Sequence, residues 1–185
     1  MKINLGKETL LYPMPVLIIG SYDENGNADA MNAAWGGIYD YNQVFLSLSA
    51  GHKTVKNILK TGALTVAPAD KKHIKEADYF GLVSGNDVED KIAKAGLTVT
   101  KSEFVNAPVI NEFPFVLECT LASYNPDTGS MVADIVNISA DESIMTNGKV
   151  SPEKLNPLCF DGSGSAYYVL GEKVGNAFSD GNEIK

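Results

Sequence analysis

The sequence predicts a mainly β protein with short helices, built as a β-barrel or a sandwich. Short β-rich runs follow one another along the chain and are separated by tight-turn signals, which is typical of these architectures. The helical segments between them are short, and no strand is followed by the glycine-rich turn of a Rossmann or P-loop unit. The 185 residues contain no repeat, linker or low-complexity stretch, so we expect a single domain over residues 1–185.

The strands are predicted from β-rich or alternating runs that end at turn residues. The pair Asn25-Gly26 indicates a hairpin turn between the first two runs. The run 43–49 alternates apolar and polar side chains, which favours a strand with one buried face. The turn at 125–129 joins two longer runs into an antiparallel pair. The expected strands are 15–22, 28–38, 43–49, 63–67, 113–123, 130–138 and 166–170.

The helices are predicted from apolar residues at helical spacing. Val55, Ile58 and Leu59 fall on one face of the segment that follows the third strand. Gly62 then stands where a glycine that ends a helix belongs. The expected helices are 52–61, 71–80 and 88–95.

The charged residues exclude several kinds of site. The chain has 15 basic and 23 acidic residues, a net charge of −8 and a pI near 4.7, and every basic residue is a lysine. Without arginine, no guanidinium clamp on phosphate and no guanidinium contact to guanine is possible. An acidic chain also lacks the positive surface of a nucleic-acid binder, so we expect no nucleic-acid partner. Any bound anion must be held by lysine, histidine, hydroxyl groups or backbone amides.

The sequence also favours a soluble protein of a reducing compartment. The longest apolar run, 15–20, is far shorter than a membrane span, and the first ten residues have no apolar signal-peptide core. Cys119 and Cys159 lie in apolar surroundings, which favours buried reduced thiols over a disulfide. We therefore expect a cytoplasmic protein with no membrane partner.

Hydrolytic and metal chemistry are both disfavoured. Ser47, Ser49 and His52 are close in sequence, but the segment lacks the first glycine of a G-x-S-x-G turn. The two histidines, His52 and His73, have no cysteine or carboxylate cluster at metal-ligand spacing beside them. His73 lies among lysines on a predicted helix, so we expect it to be solvated.

The segment 47–54 has the pattern of a phosphate site. A strand ends in hydroxyl side chains, Ala-Gly turns the chain, and a helix begins near His52, Lys53 and Thr54. The unpaired N–H groups and positive dipole at the start of a helix favour a phosphate. The hydroxyl groups and the lysine would complete a site without arginine. An ordinary capped helix has the same pattern, so both interpretations stay open.

The only tryptophan, Trp35, lies in a stretch of small residues. It follows Asn32, Ala33 and Ala34 and precedes two glycines. Small residues let a planar ligand approach the backbone, and the indole ring offers a stacking face. A core tryptophan next to glycines at a bulge is the alternative interpretation.

Segments along the whole chain together resemble the flavin reductase-like, FMN-binding split-barrel family, and most of all its flavoredoxin-like members. They read PVLIIGSYDENGNADAMNAAWGG, HKTVKNILKTG, ADYFGLVSGNDVEDKIAKAGLTV and YYVLGEKVGNAF, in this order. The resemblance implies a Greek-key split β-barrel that forms a homodimer and binds FMN non-covalently near the subunit interface. It also implies redox work, either NAD(P)H-dependent flavin or ferric reduction or electron relay to a redox protein. A flavin-binding protein without redox turnover is a further alternative.

The resemblance further implies which residues hold FMN. Asn32 and the backbone after it would face the isoalloxazine ring, the end of the 43–49 strand would meet the ring edge or the ribityl chain, and the start of the 52–61 helix would hold the phosphate. Lys91 would contact the flavin, where a cation near the N1–C2=O edge favours the anionic reduced form. An aromatic ring near the flavin is either Tyr167 or Tyr168. The implied cofactor-binding residues are Asn32, Ala33, Ala34, Trp35, Ser47, Leu48, Ser49, His52, Lys53, Thr54, Lys91 and Tyr168.

Three residues depart from the family pattern. Ala133-Asp134 replaces a Gly-Glu pair, and Phe80 stands where a cysteine is frequent. These departures concern the electron donor more than FMN binding, so the donor is left open between a nicotinamide and a redox protein.

Overall fold

A computed structural model of the protein describes residues 1–184, and most of its regular structure is antiparallel strand. The strands are β1 (Met14–Pro15), β2 (Leu17–Tyr22), β3 (Ala28–Ala33), β4 (Gly36–Asp40), β5 (Gln43–Ser47), β6 (Ala63–Pro68), β7 (Val99–Lys101), β8 (Pro108–Ile110), β9 (Phe115–Asn125), β10 (Ser130–Ala140), β11 (Met145–Thr146), β12 (Lys149–Val150), β13 (Leu158–Asp161) and β14 (Ala166–Val169). The α-helices are α1 (Lys53–Thr61), α2 (Ile74–Leu82), α3 (Lys91–Lys94) and α4 (Pro152–Leu155), and single 3-10 turns span Lys71–His73, Glu142–Ile144 and Asp180–Ile184.

Half of a barrel is formed by one antiparallel sheet of seven strands in the order β3-β2-β6-β9-β10-β5-β4. The long hairpin β9–β10 forms its centre and carries register shifts at Val132/Ala133 and at Ile135/Asn137. Such bulges increase the local twist and help a sheet to curl. A smaller antiparallel sheet, β1-β13-β14, and the hairpins β7–β8 and β11–β12 complete the strands of residues 1–184. The predicted mainly β split-barrel fold is thus confirmed.

Closure of the barrel depends on the short link between β3 and β4. These strands lie at opposite edges of the sheet, yet only Ala34 and Trp35 separate them in the chain. The sheet must therefore curl until its two edges meet at this link. A side chain on Gly36 would lie 2.8 Å from the side chains of Leu17 and Leu46, so the tight approach requires glycine there. The prediction of a single strand over 28–38 is wrong, because the chain passes from one edge of the sheet to the other at Ala34 and Trp35.

The core lies between the curled sheet and α1. Val55 and Ile58 of α1 are fully buried against β2 and β6, whereas Leu59 is half exposed, so the apolar stripe of the helix is narrower than predicted. Gly62 ends the helix in the left-handed conformation with φ +71°, which confirms the predicted C-cap. A second cluster of buried residues fills the space between β2, α2 and β13.

The other helix predictions are only partly confirmed. The segment 71–80 is a 3-10 turn followed by α2, and the segment 88–95 forms helix only over Lys91–Lys94. Asp90, which precedes that helix, adopts the left-handed conformation with φ +55°, so helical geometry cannot extend further towards the N-terminus.

The prediction that His73 is solvated is wrong. Its backbone N–H donates to Oδ1 of Asp70 at 2.8 Å, and its ring is only 8% exposed and packs edge-on against Phe113. Asp70 caps the 3-10 turn and turns the imidazole inwards.

Both cysteines are free thiols, Cys119 buried and Cys159 half-buried. Within residues 1–184, no helix is long and apolar enough to cross a membrane.

Candidate functional site

Two adjoining cavities form a groove along β3, between the start of α1 and the end of α2. They have volumes of about 170 Å³ and about 270 Å³ and share Asn32, Gly81 and Leu82 in their walls. Together they fall within the size range of small-ligand sites. The predicted site residues in the walls of the first cavity are Asn32, His52, Lys53, Thr54 and Lys91. Those in the walls of the second cavity are Asn32, Ala33 and Ala34, with Tyr167 opposite.

The start of α1 forms one end of the groove and is suited to an anion. His52 is the N-cap residue in an extended conformation, and it makes no side-chain capping bond. The helix has no acidic residue in its own first turn, although the carboxylates of Asp23 and Asp29 lie beside it. Lys53 adds a cation, although its Nζ atom lies 3.8 Å from the carboxylate of Asp23. This end of the groove therefore offers free amides and one partly paired lysine.

The hydroxyl of Thr54 has a different role from the one its position in sequence predicts. It donates to Oδ2 of Asp29 at 2.6 Å, and the Thr54 side chain is 1% exposed. A hydroxyl has one proton, so this group can no longer donate to a phosphate. The contribution of Thr54 to an anion site is its backbone N–H. The carboxylate of Asp29 lies close to the backbone at residue 85, where a side chain in place of Gly85 would collide with its Oδ1 atom.

Lys91 places a buried cation in the middle of the groove. It is 2% exposed, and its Nζ atom donates to the carbonyl oxygens of Ala30 at 2.8 Å and Phe80 at 3.4 Å. An ammonium has three protons, so one remains for a group in the groove. Burial lowers the pKa of Lys91, and the negative charge of Asp29 opposes this in part. A ligand with negative charge would relieve the cost of burying this lysine.

The far end of the groove is formed by Asn32, by small residues and by Tyr167. The amide nitrogen of Asn32 donates to the carbonyl oxygen of Ala77 at 2.9 Å, which fixes the orientation of the side chain. The hydroxyl of Tyr167 donates to Oδ1 of Asp78 at 2.8 Å. Burial and, secondly, this hydrogen bond raise the pKa of Tyr167 to about 12, so the phenol is neutral at physiological pH. Tyr168 is 60% exposed and lines neither cavity, because neighbouring residues of a strand point to opposite faces.

Trp35 lies beside the groove rather than in it. It is 53% exposed, which excludes the core-tryptophan interpretation. Together with Ala34, Phe45 and the N-terminal segment 8–15, it borders an apolar cavity of about 510 Å³. This cavity shares Ala34 with the groove, so the two spaces adjoin at the link between β3 and β4.

The predicted residues at the end of β5 are placed away from the groove. The backbone N–H of Ser47 donates to the carbonyl oxygen of Trp35 at 2.7 Å, and Ser49 is exposed. Leu48 is a core residue whose carbonyl oxygen accepts from the hydroxyl of Tyr124 at 2.9 Å. None of the three lines either cavity.

Sequence reasoning missed Asp29 and Asp78. Asp29 positions Thr54 from outside the groove, whereas Asp78 lies in the wall of the second cavity and positions Tyr167 there. Asp29 carried a signal, because an acidic residue within the strand ADAMNA is expected to be either exposed or paired. Asp78 carried none, because it lies on a helix where exposed acidic residues are common.

Comparison with known proteins places this geometry in context. A family described as the flavin reductase like domain matches residues 9–164. Flavoredoxin of Desulfovibrio vulgaris (Miyazaki F) is 35% identical, with a TM-score of 0.94 over 98% of this chain and 100% of that one. Flavoredoxin from Methanosarcina acetivorans is 26% identical, with a TM-score of 0.91 over 100% of both chains. An FMN-binding domain of a flavin reductases-like enzyme from Shewanella baltica OS155 has the same fold at 19% identity, with a TM-score of 0.78 over 88% of each chain.

Proposed function

The chain belongs to the flavin reductase like domain family and has its split-barrel fold, and from this premise we propose that it binds FMN in the groove and works as an NAD(P)H-dependent flavin reductase. The observation that carries the proposal is the assembly of Asn32, Lys53 and Lys91 in one groove from three distant segments of the chain. When bound, FMN accepts a hydride or single electrons and passes them on, so the chemistry is its own.

The groove suits a flavin that carries a phosphate. The free amides at the start of α1, with His52 and Lys53, would hold the phosphate at one end. The backbone of Ala33 and Ala34, with Tyr167 opposite, would lie along the ring at the other end. Small side chains there leave room for a planar group, and the bond from the amide nitrogen of Asn32 to Ala77 leaves its carbonyl oxygen free to accept from a ligand.

Lys91 would set the charge of the site. Its ammonium is held in place by two carbonyl oxygens and has one proton left for the flavin. A fixed cation in a site of low dielectric stabilises negative charge that develops nearby. The residue would therefore strengthen FMN binding and favour the reduced, more negative form of the flavin.

A flavoprotein electron carrier that uses no nicotinamide is the second candidate. It is favoured by the 35% identity to a protein described as a flavoredoxin. The cavity next to Trp35 also favours an electron carrier. Its only charged wall residue is Glu8, so it offers no cation for the extra phosphate of NADPH. A ferric reductase would use the same groove with a different acceptor.

We further propose that the protein is a homodimer with FMN near the interface. Large apolar residues are exposed on the edge strand β4 and on the neighbouring part of the sheet, which is typical of a surface that a partner covers. They are Trp35, Ile38, Tyr39, Val136 and Ile138, between 49% and 71% exposed. The molar mass in solution by light scattering tests this, and a mass of one chain for both wild type and Ile38→Lys would refute it.

The free thiols support a cytoplasmic location.

Anaerobic titration with NADH and NADPH tests the reductase proposal. Protein reconstituted with FMN should lose its absorbance near 450 nm within seconds of adding one of the two nucleotides. Reduction by dithionite but by neither nucleotide would leave the electron carrier as the function. A protein that takes up no FMN would refute both candidates.

A further inference from the structure

A further cavity, of about 860 Å³, lies at the other end of α2 from the groove. Its walls are the 3-10 turn at Lys71–His73, the loop between β8 and β9, and the segments around the 3-10 turn at Glu142–Ile144 and α4. We call it the distal cavity. Neither the reductase nor the carrier proposal uses any residue in its walls.

One nitrogen of a buried histidine opens onto the distal cavity. Nδ1 of His73 lies 3.0 Å from Oδ1 of Asp70, and a carboxylate only accepts, so Nδ1 carries the proton. Nε2 has no hydrogen-bond partner among residues 1–184, and no side-chain nitrogen or oxygen in that range is both buried and unpartnered. Nε2 is therefore accessible, and the accessible space beside it is the cavity. The bonds to Asp70 and the edge-on contact with Phe113 explain why the ring is buried, but they give Nε2 no partner.

The carboxylates around the distal cavity already have donors from the protein. Asp70 accepts from the backbone and the ring of His73. Glu112 accepts from the backbone N–H of Thr98 at 3.0 Å and from its hydroxyl at 2.8 Å. Asp141 accepts from the backbone N–H of Ser143 at 2.7 Å. These hydrogen bonds hold the three carboxylates in place, but each keeps its negative charge beside the three lysines of the wall.

The lysines around the distal cavity, by contrast, have protons to offer. The ammonium groups of Lys71 and Lys72 have no partner among the described residues and are exposed. Lys154 donates to the carbonyl oxygen of Met145 at 2.6 Å, which leaves two of its three protons. The groups free to bind a ligand are therefore cations and one imidazole nitrogen.

We propose that the distal cavity binds a small molecule through a carboxylate or phosphate group. The ammonium groups of Lys71, Lys72 and Lys154 would hold the ionised oxygen atoms of the anion. Nε2 of His73 would accept from an acidic hydroxyl of the same ligand, such as that of hydrogen phosphate or of a half-ionised dicarboxylic acid. Asp70 would keep the proton on Nδ1 and fix the imidazole in the orientation that directs the lone pair of Nε2 at the ligand. The site is separate from the flavin groove, so a ligand there can bind together with FMN.

Histidine signals in the NMR spectrum test this proposal in the FMN-saturated protein. The chain has only two histidines, His52 at the flavin groove and His73 at the distal cavity, so each reports on one site. We titrate with malonate and, separately, with inorganic phosphate at constant ionic strength. The ring signals of His73 should shift along a saturating curve, while those of His52 stay in place. Equal, non-saturating shifts of both histidines would mean weak ionic effects and would overturn the proposal.

Substitutions give an independent measurement of affinity by calorimetry. His73→Asn keeps an N–H for Asp70 but lacks Nε2, and we expect about tenfold weaker binding, which corresponds to about 1.4 kcal/mol. Lys71→Gln should weaken binding about threefold, whereas Lys173→Gln, the same charge change in the C-terminal segment, should leave it unchanged. Lys71→Gln leaves Asp70 and His73 in place, so it tests the site even if His73→Asn does not fold. Equal affinities for Lys71→Gln and Lys173→Gln would contradict the proposal, and FMN absorbance is expected to be the same in all these variants.

Discussion

Thr54→Val separates two roles of residue 54, the hydrogen bond from its hydroxyl to Asp29 and the backbone N–H that it offers to an anion. Valine has nearly the same shape as threonine but no hydroxyl, so the variant removes the 2.6 Å hydrogen bond to Asp29 and leaves the backbone N–H in place. Asp29 is buried, and a buried carboxylate that loses a donor destabilises the fold by about 2 kcal/mol. With a urea dependence of about 2 kcal/mol per M, the unfolding midpoint should fall by about 1 M.

The affinity for FMN should respond much less than the stability. If the phosphate is held by amides and not by the Thr54 hydroxyl, the dissociation constant of Thr54→Val should stay within about threefold of wild type under folding conditions. Thr54→Ser, which keeps the hydroxyl and loses only a methyl group, is the matched control and should lose about 1 kcal/mol or less. A loss of FMN affinity of tenfold or more at unchanged stability would show that the hydroxyl contacts the phosphate and would refute this reasoning.

Three further substitutions probe the groove. Lys53→Ala should weaken FMN binding by about threefold in a fluorescence titration, because the lysine is partly exposed and its charge is shared with Asp23. Thr54→Pro removes a backbone amide from the anion site and should weaken FMN binding at least about a hundredfold. Lys91→Met removes a buried cation and should shift the two-electron potential of bound FMN by about 30 mV or more to the negative side in a spectroelectrochemical titration; an unchanged potential and affinity would exclude a role for Lys91. Because the pKa of Tyr167 is raised from 10.0 to about 12, the folded protein keeps this proton longer than the unfolded chain, so stability falls as the pH rises from 10 to 12. Tyr167→Phe should make urea stability less dependent on pH in this range, and an identical pH dependence in the variant would count against the assigned hydrogen bond.

Local patterns were enough to predict most of the fold. The alternation over 43–49, the turn at 125–129 and the glycine after α1 are properties of neighbouring residues, and each is confirmed. The break at Ala34 and Trp35 was not predictable in the same way. It exists because two edges of a curled sheet meet there, and this depends on strands far apart in the sequence.

The site shows the same division between local and distant causes. The anion-binding character of the segment at His52–Thr54 follows from a helix start, which the sequence reveals locally. The positions of Lys91 and Tyr167 beside Asn32 depend on how α2, α3 and β14 pack on β3. Only the family resemblance indicated them, and it placed Tyr168 among the site residues with Tyr167 as the alternative. The burial of His73 was missed because the bond to Asp70 outweighs the lysines around it.

A fluorescence titration that compares FMN with riboflavin tests the central claim most directly. The two flavins differ only by the phosphate, and the groove assigns that group to the amides at the start of α1 and to Lys53. The account predicts one FMN bound per chain and at least about tenfold weaker binding of riboflavin, since several hydrogen bonds to a charged group are lost. Equal affinity for the two flavins would contradict the phosphate site, and no binding of either would contradict the flavin site altogether.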